Sequence, residues 1–173
     1  IETAGVVFGG YANPPDSAIT NTEEYNGSAW SNNPNGLSTA RYQFSACGTQ
    51  TAGLAFGGYP SSPPYGSNAT EEYDGSSFSS GGNLPQGIYG NVSSTNGTQT
   101  AALSFGGRTA PGPLVGDTVG YDGTSWSTRP SMANARYYGG GSGTISAAMM
   151  AGGANPTTTN KNLTEEFTGE TTA

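Results

Sequence analysis

Apolar residues in this chain come in short runs of strand length, and the runs recur. The clearest is TAGLAF, Thr51 to Phe56, closed at once by Gly57-Gly58. The same Phe-Gly-Gly ending stands at Phe8 and Phe105, and Ala151-Gly152-Gly153 is a weaker copy, with spacings of about 48, 49 and 46 residues. Further markers keep the same order and period. TEEY begins at Thr22 and Thr70, TVGY at Thr118 and TEEF at Thr164; GTQT begins at Gly48 and Gly97, and GTIS at Gly143. An Asn-Gly or Asp-Gly pair at Asn26, Asp74 and Asp122 carries a Tyr before it and a Trp or Phe after it. Such dipeptides predict tight hairpin turns, and the flanking rings predict an aromatic pair across each hairpin. No apolar spacing of 3.6 residues with helix caps occurs, so the chain is expected to be all-β.

A repeat of this kind has to be read before any single motif. In the second copy, Arg41 to Cys47, Thr51 to Phe56, Thr70 to Tyr73 and a strand starting at Ser76 are the expected strands. A Pro-rich loop, Tyr59 to Ala69, separates the second and third of them. The repeats fall at about residues 1–37, 38–84, 85–132 and 133–173 of one domain. A first copy without its Arg strand and a last copy without its Trp strand give an expected strand count of three, four, four and three. Unpaired strand edges at both ends are expected to be completed by neighbouring copies, giving a multimer or fibre, or by further chain.

Four strands in this length match a β-propeller repeat. An apolar strand ending in Gly-Gly, then Glu-x-Tyr-Asp, then an aromatic, then an Arg about eleven residues on resembles the kelch repeat. Phe56-Gly57-Gly58, Glu71 to Gly75, Phe78, and Arg41 or Arg136 carry the likeness. The wording TEE(Y/W)(N/D)GSxW and GTQTAxLAFGG is similar to a kelch style common in environmental phage and bacterial surface proteins. The resemblance implies about 3.5 kelch-like propeller repeats in an extracellular or virion-surface setting.

Comparison of the copies adds one inference. Arg41 stands with Glu71 and Glu72, and Arg136 with Glu165 and Glu166, whereas the copy between has Ile88 and Val119-Gly120 at those places. Basic and acidic residues are lost together, as a buried ion pair requires, because one partner alone would be an uncompensated charge. Neighbouring strand residues face apart. The expected structural pairs are therefore Arg41 with Glu72 and Arg136 with Glu166, the glutamates adjoining the aromatic.

Composition then narrows the chemistry. The formal net charge is -7 with only 5 Lys and Arg and no basic run, which argues against a nucleic-acid partner. No stretch of about 18 apolar residues predicts membrane insertion. The absence of histidine removes His-based acid–base chemistry, triads and His metal sites. Some kelch-type propellers are copper sugar oxidases needing two His and a Tyr cross-linked to Cys; with no His and one Cys47, this chain lacks that set. Adjacent glutamates recurring copy by copy signal structure rather than a glycosidase pair. The Asp-Gly turns lack the acidic ladder of a calcium loop. A non-enzymatic protein without cofactor is expected.

The Pro-rich loops Tyr11 to Asn21, Tyr59 to Ala69, Arg108 to Asp117 and Ala154 to Leu163 occupy one place in the repeat and vary most. They are expected on one face, with Tyr11, Tyr59 and Tyr65 available to stack on sugar rings. Among the Asn-x-Ser/Thr sequons, Asn68 and Asn162 are the glycosylation candidates, with Thr157, Thr158 and Thr159 for O-linked sugar. The expected function is a structural fibre subunit built with copies of itself. The alternatives are a carbohydrate-binding adhesion module on the loop face and, disfavoured by the missing histidines, a sugar oxidase.

Overall fold

The computed structural model describes residues 3–14, 16–155 and 162–169. Every regular element in it is a β-strand, and the strands form small antiparallel sheets. The first sheet orders Gly5–Phe8, Thr22–Tyr25 and Trp30–Asn33. The second runs Ser45–Thr49, Ala52–Phe56, Thr70–Tyr73 and Phe78–Ser80. The third runs Val92–Ser93, Ala102–Phe105, Thr118–Tyr121 and Trp126–Arg129. The fourth holds Gly140–Gly143, Ala147–Ala151 and Thr164–Thr168. Each is a meander in which sequence neighbours pair, and the described residues do not close into a ring.

The hairpins follow from their turn residues. Asp74 Oδ1 accepts from the Ser76 and Ser77 amides, both at 2.8 Å, and Asp122 Oδ1 does the same for Thr124 and Ser125. Those bonds lower both aspartate pKa values, because they favour the ionised form. The register sets Tyr25 opposite Trp30, Tyr73 opposite Phe78 and Tyr121 opposite Trp126, with ring centroids 5.2, 4.7 and 4.9 Å apart. These are the aromatic pairs the turn motif predicts.

The strand expected over Arg41 to Cys47 is broken. Gln43 has φ 55, which turns the chain. Arg41–Tyr42 then pairs with Tyr59–Pro60, while Ser45–Thr49 joins the main sheet. The break recurs at Gly90 (φ 63) and Tyr138 (φ 57), the same place in the next copies. Backbone bonds link these positions: Gly90 N–H donates to Gln43 O at 2.8 Å, and Tyr138 N–H to Gly90 O at 2.9 Å.

The Gly-Gly pair ties each sheet to the next. Its second amide donates forward to the following copy: Gly10 to Arg41 O, Gly58 to Ile88 O and Gly107 to Arg136 O, at 2.9, 2.8 and 3.0 Å. Gly58 needs glycine on two counts. Its φ is 107, and a Cβ there would lie 2.7 Å from Phe44 Cβ.

Between the sheets lie two apolar clusters. Leu54, Phe56, Leu84, Ile88, Ala102, Val119 and Tyr121 fill the space between the second and third sheets, with Cys47 packed against them. Val92, Leu103, Phe105, Ala148 and Met150 fill that between the third and fourth. The innermost strands also touch: Ser45 Oγ donates to Asn91 O at 2.7 Å, and Ser93 Oγ to Ala46 O at 2.8 Å.

The ion pairs are real but use the other glutamate of each couple. Arg41 Nη1 lies 2.8 Å from Glu71 Oε1, both side chains buried, and Arg136 Nη2 lies 3.3 Å from Glu165 Oε1. Glu72 and Glu166 are therefore not the partners. The reason is the strand face: Glu71 points inward, where its second oxygen also takes the Ser38 amide at 2.8 Å, and Glu165 takes that of Ala133. Ile88 and Val119, which replace the pair in the intervening copy, both lie in the first apolar cluster.

Glu72 faces the other way and has a different partner. Tyr121 Oη donates to Glu72 Oε1 at 2.6 Å across the gap between sheets, and Tyr73 Oη donates to Glu24 Oε1 in the same manner. Gln99 Nε2 bridges that gap too, donating to Gly53 O and Tyr73 O; Gln50 does so to Gly5 O and Tyr25 O.

Candidate functional site

Tyrosines gather where the Pro-rich loops emerge. The residue after the first three Gly-Gly pairs opens a loop and is Tyr11, Tyr59 or Arg108, each beginning a short strand, and Ala154 follows the fourth. The short strand Arg41–Tyr42 sets Tyr42 against Tyr59, and Ile88–Tyr89 sets Tyr89 against Arg108. The side chains form a connected run. Tyr11 and Tyr42 have ring centroids 4.8 Å apart, Tyr42 and Tyr59 5.4 Å, and Tyr59 and Tyr89 5.0 Å edge to face. Tyr65 stacks on Tyr59 at 5.3 Å with 14° between the planes. Tyr137 and Tyr138 form a further pair at 4.2 Å, and a Cβ on Gly90 would lie 2.7 Å from the Tyr138 ring.

Enough aromatic surface stays open for a ligand. Tyr11 is 49%, Tyr65 39% and Tyr138 46% exposed. The hydroxyl pKa values of Tyr11 and Tyr59 are raised. At Tyr11 the main cause is its 2.8 Å hydrogen bond to Asp16; at Tyr59 it is burial, with Tyr42, Tyr65 and Tyr89 adding to it. Both hydroxyls are neutral at ordinary pH; that of Tyr59 can donate and accept, whereas that of Tyr11 gives its proton to Asp16.

The three ligand candidates read from the sequence, Tyr11, Tyr59 and Tyr65, thus lie on one run. The loops that bear them also touch, since the Ala18 amide donates to Ser61 Oγ at 2.8 Å. Tyr42, Tyr89, Tyr138 and Arg108 complete the face. The signal is positional for three of them: Tyr42 and Tyr89 each follow the Arg or Ile of the repeat, and Arg108 takes the place of Tyr59, whereas Tyr138 aligns with Gln43 and Gly90 and has no such signal.

A groove of about 240 Å³ opens beside Tyr59, Tyr65 and Tyr89, its other wall formed by Arg108 and the segment Thr109 to Gly112. Its residues come from two of the variable loops and the short strand between them. The lining offers three tyrosine rings and one guanidinium.

Of the modification candidates, Asn68 and Asn162 are exposed. Asn91 is buried, its side-chain amide donating to Ser104 Oγ at 3.0 Å, and Asn26 Oδ1 caps its own turn. Thr157, Thr158 and Thr159 lie outside the described residues. Among those residues no helix is long and apolar enough to cross a membrane.

No protein-family model matches the chain, and comparison with curated proteins finds no similar sequence.

Proposed function

We propose that this protein is a non-enzymatic, kelch-like propeller segment that binds carbohydrate through its tyrosine face, in an extracellular or virion-surface setting. The single observation behind this reading is the continuous run Tyr11–Tyr42–Tyr59–Tyr65, with Tyr89 at its side, on the face where the variable loops meet. Rings with partly open faces and polar edges suit the apolar C–H faces and the hydroxyls of sugars at once. A glycan array tests it. Reproducible binding that disappears in Tyr59→Ala supports the reading; binding unchanged by that substitution, or none at all, sinks it. The propeller assignment rests on the meandering sheets and on the Gly-Gly amides that join each copy to the next.

A second reading, a structural building block that joins copies of itself into a fibre, has its own support. The Tyr-to-Glu bond between sheets occurs twice in the same register. Tyr25 and Glu166 stand at the corresponding places of the first and fourth sheets, so a further repeat on either side could continue the pattern. Negative-stain imaging of native material separates the two: filaments favour the building block, discrete particles that bind glycan favour adhesion.

A further inference from the structure

We infer that the groove between Tyr59 and Arg108 takes an acidic sugar, its carboxylate or sulfate on the Arg108 guanidinium and its ring against Tyr65 and Tyr59. This deepens the carbohydrate reading and rests on it. Among the described cations, Arg41 and Arg136 are fully buried in ion pairs, and Arg129 lies along the strand surface over Gly120. Arg108 alone stands in the tyrosine run. It occupies the repeat position that holds Tyr11 and Tyr59 in the earlier copies, so a cation replaces a ring where the face meets solvent.

Its setting is built rather than incidental. Cross-strand pairing with Tyr89 fixes the Arg108 backbone, and Nε donates to Gly112 O at 3.1 Å, which orients the guanidinium. The bond occupies Nε, and no carboxylate among the described residues forms an ion pair with Arg108. The terminal nitrogens are a planar, charged fork of the kind that matches a two-oxygen anion. The groove wall opposite is aromatic, and Tyr59 and Tyr65 already stack in the parallel geometry that extends to a sugar ring. Asp16 is held at the other end of the run by Tyr11, and Asp117, at the far end of the Arg108 loop, accepts from Gln86 Nε2 at 2.8 Å. A neutral sugar would need the rings alone; the cation adds a requirement for charge.

The test uses the whole chain and three immobilised oligosaccharide probes: oligogalacturonate, dextran sulfate and neutral galactan. Arg108→Met keeps the aliphatic stem, and Arg108→Lys keeps the charge. Expected is binding to at least one acidic probe that weakens about tenfold or more in Arg108→Met and recovers in part in Arg108→Lys. It should also weaken as salt is raised. Preference between oligogalacturonate and dextran sulfate then assigns carboxylate or sulfate. Equal binding of galactan and both acidic probes, unaffected by Arg108→Met, would overturn the inference while leaving the carbohydrate reading intact. Equal loss of acidic and neutral binding in Arg108→Met would overturn the role given to charge. Absence of binding to all three probes and to a broader glycan array would remove the carbohydrate reading itself.

Discussion

Tyr121 reaches out of its own sheet to donate a hydrogen bond to Glu72 in the sheet before it, at 2.6 Å. Tyr73 and Glu24 repeat the relationship one copy earlier. One copy later both partners are missing, since Gly120 replaces the glutamate and Phe167 the tyrosine. Joint loss is what an energetically meaningful pair predicts. A double-mutant cycle with Tyr121→Phe and Glu72→Gln, followed by urea denaturation, should give a coupling of about 0.5–1.5 kcal/mol. Strict additivity would show the bond to be incidental.

Arg41 and Glu71 offer the sharper contrast, because both are buried. Removing either alone strands a charge, so Arg41→Ile or Glu71→Val is expected to cost about 3–5 kcal/mol. The double variant copies Ile88 and Val119 of the third repeat, which sit together in an apolar cluster. It should be markedly more stable than either single variant, as measured by chemical denaturation.

Alkaline pH should weaken the fold from the tyrosines outward. Burial first, and the bonds to Glu24 and Glu72 second, push the Tyr73 and Tyr121 hydroxyls up to about 12. Their folded-state pKa lies above the unfolded value of about 10. Their contribution is therefore whole below about pH 10 and is lost as pH climbs toward 12, while the unfolded chain releases protons that the native one retains. Ultraviolet titration of native protein should show these two phenols, together with Tyr138, which burial also pushes up to about 12, ionising last, with the thermal midpoint falling over the same interval.

Cys47 should be a poor nucleophile. Burial raises its thiol to about 12, and Sγ lies 3.8 Å from Thr98 O. At pH 8 the thiolate, which is the reactive species, is scarce. Iodoacetamide should modify native protein at least about tenfold more slowly than urea-unfolded protein, with equal rates counting against the packing described.

The Gly-Gly pair allows a matched comparison. Gly10 and Gly58 have φ of 112 and 107, yet a Cβ on Gly10 meets nothing within 4 Å while one on Gly58 meets Phe44 at 2.7 Å. Gly10→Ala should cost about 1–3 kcal/mol of backbone strain, and Gly58→Ala measurably more from the added clash. Thermal denaturation of both variants reads the difference.

Repetition made most of this legible in the sequence. The Asp-Gly turns, the Tyr–Trp pairs and the strand content follow from local signals that one copy confirms for the next. The choice of glutamate was not legible, because period-two alternation says that Glu71 and Glu72 face apart but not which face is inside. That is decided by Tyr121, a residue 49 positions away that claims Glu72. The break in the strand over Arg41 to Cys47 is not legible for a similar reason. Nothing in Gln43 itself demands φ 55; a backbone bond from Gly90 stabilises it. Tyr11, Tyr59 and Tyr65 were visible as candidates, but Arg108 stood out only once register placed it beside Tyr89.

The forward-reaching amides of Gly10, Gly58 and Gly107 have a consequence for how the molecule comes apart. Each sheet leans on the one that follows, so loosening travels along the series instead of melting everything at once. Amide exchange should be slowest in the two middle sheets and quicken on either side of them, as in a row of books supported most firmly at its centre.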